Sequence, residues 1–202
     1  MFFDNERKQK EQQYAAEGRL PAGQSLTLKW PVLHEGDIPR FDPATWDFQV
    51  RGLVQNPLRL TWQEFAVLPQ IRVVADFHCV TTWSKFDNEW TGVPFRAIAD
   101  RVKPLPEARY VMVHADPGYT TNVPLDDLMR DNVLFATGHA PDPFTPEHGA
   151  PLRLVVPHLY AWKSAKWVRG LVFMDQDRAG YWERVGYHMY GDPFKEQRYH
   201  GQ

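Results

Sequence analysis

Cysteine is nearly absent: Cys79 is the only one in 202 residues. An intramolecular disulfide is therefore excluded, which suits a reducing compartment. No CxxC pair exists, so the usual zinc spacing is missing. No Gly-rich loop ending in GK[ST] appears, which leaves a nucleotide P-loop without support. Net charge is −2, so no basic field is available to hold nucleic acid. No run approaches the roughly 18–20 apolar residues of a membrane span. The N-terminal stretch is charged from Asp4 onward and has neither an apolar signal core nor an Arg-Arg pair. The expectation is a cytoplasmic protein.

What is present is apolar and aromatic. Hydrophobic residues make up 43% of the chain, with eight tryptophans and twelve phenylalanines. That much aromatic area implies a compact core or a lined cleft. Length and the lack of a linker suggest one domain, 20–202, preceded by an arm or helix over 1–19. Strand patterns fall at 47–54, 57–62, 71–77, 108–115, 133–138, 153–157 and 166–175. Short helical patterns fall at 62–68, 93–102 and 124–131, the first opened by Thr61 and Glu64 at capping-box spacing. Residues 181–187 alternate like a strand. Strands outnumber helices, and the class predicted is α+β with mixed β-sheets and short helices.

Cys79 lies in the run DFHCVTTW, directly after His78. A lone cysteine is often a small buried hydrophobe. As a nucleophile it would need a base. His78 is adjacent, but neighbours on a strand face opposite ways. As a thiolate it could bind a soft or Lewis-acidic metal. Further on, EHGAPLRLVVPHLYAWKSAKW threads His148, Arg153, His158, Lys163, Ser164 and Lys166 among apolar residues. Arg offers a planar fork for phosphate and Lys a point charge, so an anion pocket is one reading. A strand and a solvated loop is the other. Near the C-terminus, YWERVGYHMYGDPF collects tyrosines, whose hydroxyls could serve an oxyanion or relay a proton.

Together, DFHCVTTWSKFDNEWTGVPF, EHGAPLRLVVPHLYAWKSAKWVRG and WERVGYHMYGDP resemble the sulfite-oxidase-type molybdopterin oxidoreductases. The likeness is to their small bacterial cytoplasmic branch, related to the methionine sulfoxide reductase catalytic subunit, over roughly residues 20–200. It implies a single molybdopterin-binding domain with a molybdenum–molybdopterin cofactor. In that family one cysteine ligates molybdenum, and Cys79 matches it. The family's cofactor phosphate and pterin are held by segments that read here His148-Gly149-Ala150-Pro151-Leu152-Arg153 and Lys163-Ser164-Ala165-Lys166-Trp167. The resemblance thus makes His148, Arg153, Lys163, Ser164 and Lys166 cofactor contacts, with Thr81, His34 and Asp116 added. Trp182 and Tyr187 keep a spacing that lines the family's active site, so Tyr187, His34 and Cys79 are the catalytic candidates.

One departure concerns the substrate. Sulfite oxidases carry Arg-Asn-His where this chain reads PVLHEGDIP, so Val32 and Leu33 precede His34 and no arginine does. The resemblance implies oxygen-atom transfer to or from a small sulfur- or nitrogen-oxo substrate, in a pocket less cationic than sulfite needs. No haem or flavin motif appears, so a separate electron donor or acceptor is expected. Alternatives are a non-catalytic carrier of the cofactor, and a cysteine hydrolase pairing Cys79 with His148 or His158. A zinc site built from the eight histidines is a weaker option.

Overall fold

The structure, a computed structural model, describes residues 2–142 and 144–202. Met1, the first residue of the expected arm, lies outside them. The elements in order are α1 (Phe2–Ala16), β1 (Ser25–Leu26), β2 (Asp47–Gly52), β3 (Leu58–Thr61), α2 (Trp62–Ala66), β4 (Ile71–His78), β5 (Trp83–Pro94) and α3 (Phe95–Val102). They continue with β6 (Tyr110–Ala115), β7 (Tyr119–Pro124), α4 (Leu125–Leu128), β8 (Leu134–Ala140), β9 (Arg153–Val155), β10 (Val168–Met174) and α5 (Tyr181–Arg184). Short 3-10 turns at Pro146–His148, Ala161–Lys163 and Pro193–Lys195 complete it. The class is α+β, as expected. No helix among the described residues is long and apolar enough to cross a membrane.

Two five-stranded sheets carry the chain. In the first, β5 is the hub: β4 and β8 flank it antiparallel, β1 joins parallel, and β9 follows β8. The second runs β3-β2-β10-β6-β7, with β10 parallel to β2. Alternation explains β2, where Phe48 and Val50 are buried and Gln49 and Arg51 are exposed. The capping box of α2 is present as expected, with Thr61 and Glu64 satisfying each other's backbone N–H. In α3 the buried residues Phe95, Ile98, Ala99 and Val102 repeat at helical spacing. Both sheets feed one main core, which joins Phe48 and Phe173 to Phe135 and Leu154. β9 belongs to the first sheet and β10 to the second, so residues 156–167 cross between them.

Three parts of the sequence reading change. β5 was not expected as a strand, because Lys85, Asp87, Asn88 and Glu89 are poor strand residues. Its interior charges find partners instead: Lys85 pairs with Asp142 at 3.0 Å and reaches Asn88 at 3.1 Å. The hairpin strand β7 was also missed. Residues 181–187, read as alternating, form the short helix α5, because Glu183 is drawn inward to an ion pair. The N-terminal helix docks on β5: Tyr14 stacks on Phe86 at 4.0 Å, and Arg19 bridges Asp76 and Asp87.

Candidate active site

Cys79 begins the turn between β4 and β5. Its N–H donates to Trp83 O at 2.9 Å, and its own carbonyl accepts from Thr82 N at 3.0 Å. Thr82 takes φ +72° to close this turn. Cys79 is 8% exposed and lines a cavity of about 330 Å³. Thr81 Oγ1 donates to it at 3.1 Å. Burial pushes the thiol pKa up, which disfavours a free thiolate.

Among the described residues, no histidine hydrogen-bonds that thiol. His78 points the other way, as strand alternation requires: it is 2% exposed, contacts Ser84 Oγ at 2.8 Å and is pushed to about 4 by burial. His148 lines the cavity, but Thr145 Oγ1 at 3.0 Å and Trp30 O at 3.3 Å occupy both its ring nitrogens. His158 sits instead on Asp127 at 3.0 Å. The two histidines expected to pair with Cys79 in the hydrolase reading are thus held by other partners. Among the described residues no three His, Cys, Asp or Glu side chains gather into a metal site of their own.

Arg153 closes the inner end of the cavity. It is 2% exposed, and its two Nη groups donate to His148 O at 2.7 Å and Ser164 O at 3.1 Å. Its guanidinium lies 5.1 Å from the Phe77 ring and 5.5 Å from Trp90. Desolvation pushes it down to about 9. No carboxylate among the described residues pairs with it, and its Nε has no partner. Trp83 Nε1, on the same cavity, is likewise buried without an acceptor. A buried cation and two orphaned donors fit an anionic ligand, since an uncompensated charge in such a place is costly. Gly149, at φ +112°, lets the chain pass: a Cβ there would stand 3.0 Å from Arg153 Cβ and 3.2 Å from Lys166 Cβ.

Lys166 faces the same cavity and donates to Glu147 O at 2.5 Å and Leu33 O at 2.6 Å. Burial, with the Arg153 charge adding, pushes its ammonium from 10.5 down to about 7. The folded protein without cofactor gives up that proton near neutrality, whereas the unfolded chain keeps it into the ordinary lysine range. Between those values the unfolded chain binds more protons, so stability rises with pH. Below about pH 7 both forms are charged and the full penalty remains. The cofactor-free protein is expected to melt higher as pH climbs above neutral, with part of the rise missing in Lys166→Met. A bound phosphate restores the proton and should remove that part. Identical melting profiles for the two cofactor-free proteins would contradict this.

The remaining expected residues divide. Tyr187 lines the cavity, stacked on Trp182 at 5.0 Å and edge-on to Trp162 at 5.1 Å. Burial pushes its hydroxyl pKa up, so it keeps its proton at neutral pH. His34 lines the mouth, its Nδ1 2.9 Å from Gly36 O. Ser164 lines the cavity, but its Oγ accepts from Val156 N at 2.9 Å. Lys163 does not reach the cavity. Its Nζ is fully buried and donates to Glu183 Oε1 at 2.6 Å, to Met189 O and to Asn122. Asp116 lies outside too, paired with Arg169 at 2.9 Å beside a separate hollow of about 50 Å³. Sequence reasoning missed Trp30, which stacks on His148 at 3.8 Å, and Glu35 at the mouth. Both sit in the Pro-rich loop before β2, where no periodicity marks them.

The two sheets frame one cavity that carries a buried cysteine on its wall and a buried arginine with no carboxylate partner among the described residues. The family model described as oxidoreductase molybdopterin binding domain matches residues 35–182. The chain belongs to that family: it is a sulfite-oxidase-like oxidoreductase whose cofactor is molybdopterin. The uncharacterized oxidoreductase YuiH of Bacillus subtilis is 49% identical over 183 residues, covering 90% of this chain and 92% of YuiH. The protein-methionine-sulfoxide reductase catalytic subunit MsrP of Campylobacter jejuni is 27% identical, over 75% of this chain. This chain spans only 56% of that relative. The sulfane dehydrogenase SoxCD of Paracoccus pantotrophus shares the fold, with a TM-score of 0.65 over 76% of this chain and 43% of SoxCD at 22% identity. His34 and Tyr187 fall just outside the family match.

Proposed function

We propose that Cys79 ligates molybdenum in this cavity and that the enzyme reduces a small, uncharged oxo group on sulfur or nitrogen. The observation that carries the reading is one cavity with a buried cysteine on its wall and an unpaired, buried Arg153 at its inner end. When bound, the cofactor supplies two-electron redox chemistry at molybdenum. Arg153 and Lys166 hold its phosphate, with the orphaned Nε and the Trp83 N–H as further donors. Coordination offsets the burial that otherwise keeps the thiol protonated. Thr81 steadies the sulfur by its hydrogen bond.

Tyr187 keeps its proton and donates to the substrate oxygen, while Trp182 and Trp162 fix its ring and exclude water. A sulfoxide takes two electrons and two protons and leaves as a thioether and water. The electron donor is a separate molecule. The direction of transfer follows the sulfoxide reductases among the relatives.

The test is a dye-coupled reductase assay on molybdenum-loaded protein with dimethyl sulfoxide. Tyr187→Phe should lower kcat/KM by roughly a hundred-fold, the lower range for a lost proton donor, with metal content unchanged. An unaffected rate would remove Tyr187 from the chemistry. A fully loaded protein inert towards every oxo substrate would favour the carrier reading.

A further inference from the structure

We infer that Glu35 and the aromatic wall beside it select a substrate that carries a positive charge next to its oxo group. This rests on the proposed oxo-transfer reading of the same cavity. Among the described residues Glu35 is the one carboxylate on the cavity wall. It is exposed and sits two residues past Leu33, whose carbonyl Lys166 holds.

Glu35 is held there by Tyr181, whose hydroxyl donates to its Oε1 at 2.9 Å. The Tyr181 ring stands 5.1 Å from Trp182, edge to face, and Trp182 stacks on Tyr187. Glu35, Trp182 and Tyr187 all line the cavity, and Tyr181 behind that wall ties Glu35 to Trp182. A carboxylate beside aromatic faces suits an amine or quaternary ammonium, through ion pairing and cation–π attraction. The cavity's own cations do not cancel this. With Arg153 and Lys166 assigned to the proposed phosphate, Glu35 is the remaining Asp, Glu, Lys or Arg side chain on the cavity wall, while Arg184 acts on Tyr181 from outside that wall. Anionic oxo substrates are disfavoured by the same charge.

A matched series isolates charge: methionine sulfoxide amide (cation), N-acetylmethionine sulfoxide amide (neutral) and N-acetylmethionine sulfoxide (anion). Molybdenum-loaded enzyme should favour the cation over the neutral compound in kcat/KM by roughly five- to thirty-fold, the range for an ion pair and one cation–π contact together. Glu35→Gln should collapse that ratio, and Glu35→Asp should retain part of it. Binding is read separately, from quenching of Trp162 and Trp182 fluorescence by the corresponding thioethers, and should follow the same order. Equal binding of cation and anion, or a ratio unchanged in Glu35→Gln, overturns the inference. If no sulfoxide is turned over but the binding order holds, oxo transfer fails and charge selection stands.

Discussion

Replacing Cys79 with serine removes turnover while leaving the pterin in place. Serine matches the cysteine in size, so the turn between β4 and β5 and its two backbone hydrogen bonds survive. What goes is the sulfur of a residue that lines the cavity, and with it the proposed bond to the metal. Loss of an outer partner of a metal ligand costs about 10–100-fold, so loss of the ligand itself should exceed that. The proposed pterin grip lies elsewhere in the chain, at Arg153 and Lys166 on the same cavity, and would not depend on the sulfur. Pterin fluorescence after denaturation should therefore match the parent protein while dye oxidation falls to background. Turnover within about ten-fold of the parent would reject Cys79 as an essential ligand.

Lys163→Met should destabilise the cofactor-free protein by about 3–5 kcal/mol, the usual cost of breaking a buried ion pair. Lys163 and Glu183 are both fully buried, so removing the lysine leaves a carboxylate with no counter-charge. Glu183 Oε1 also accepts from Trp162 Nε1 at 2.9 Å and Thr121 Oγ1 at 3.2 Å, and its Oε2 has no partner. The melting temperature should fall by roughly 10 °C for a chain of this size. The double variant Lys163→Met/Glu183→Gln should recover most of the loss, because the stranded charge is gone. If Lys163 were instead a phosphate anchor, the cofactor-free protein would be unharmed and only cofactor retention would suffer. Thermal unfolding of the cofactor-free variants separates the two.

Lys163 also shows where sequence reasoning ends. It and Lys166 flank Ser164 in the same KSAK segment, and nothing local distinguishes them. The difference is made by Glu183, twenty residues downstream, and by Asn122 on β7. Asp116 is similar: its motif is visible, but Arg169 across the sheet claims it. What was legible was local. The capping box at Thr61, the alternation of β2, and the placing of Cys79 and His78 on opposite sides follow from short-range periodicity and stereochemistry. β5 was not legible, because its charges are paid for by partners such as Asp142, 57 positions away in the sequence. Trp30 and Glu35 gain their roles only when the loop before β2 folds over the cavity and Lys166 takes hold of Leu33 O.

Molybdenum X-ray absorption on the loaded protein and on Cys79→Ser tests the centre of this account. The sulfur shell around the metal should lose one scatterer in the variant, with pterin content unchanged. An identical sulfur shell in both proteins, or pterin and molybdenum absent from protein made in a cofactor-producing host, would contradict it.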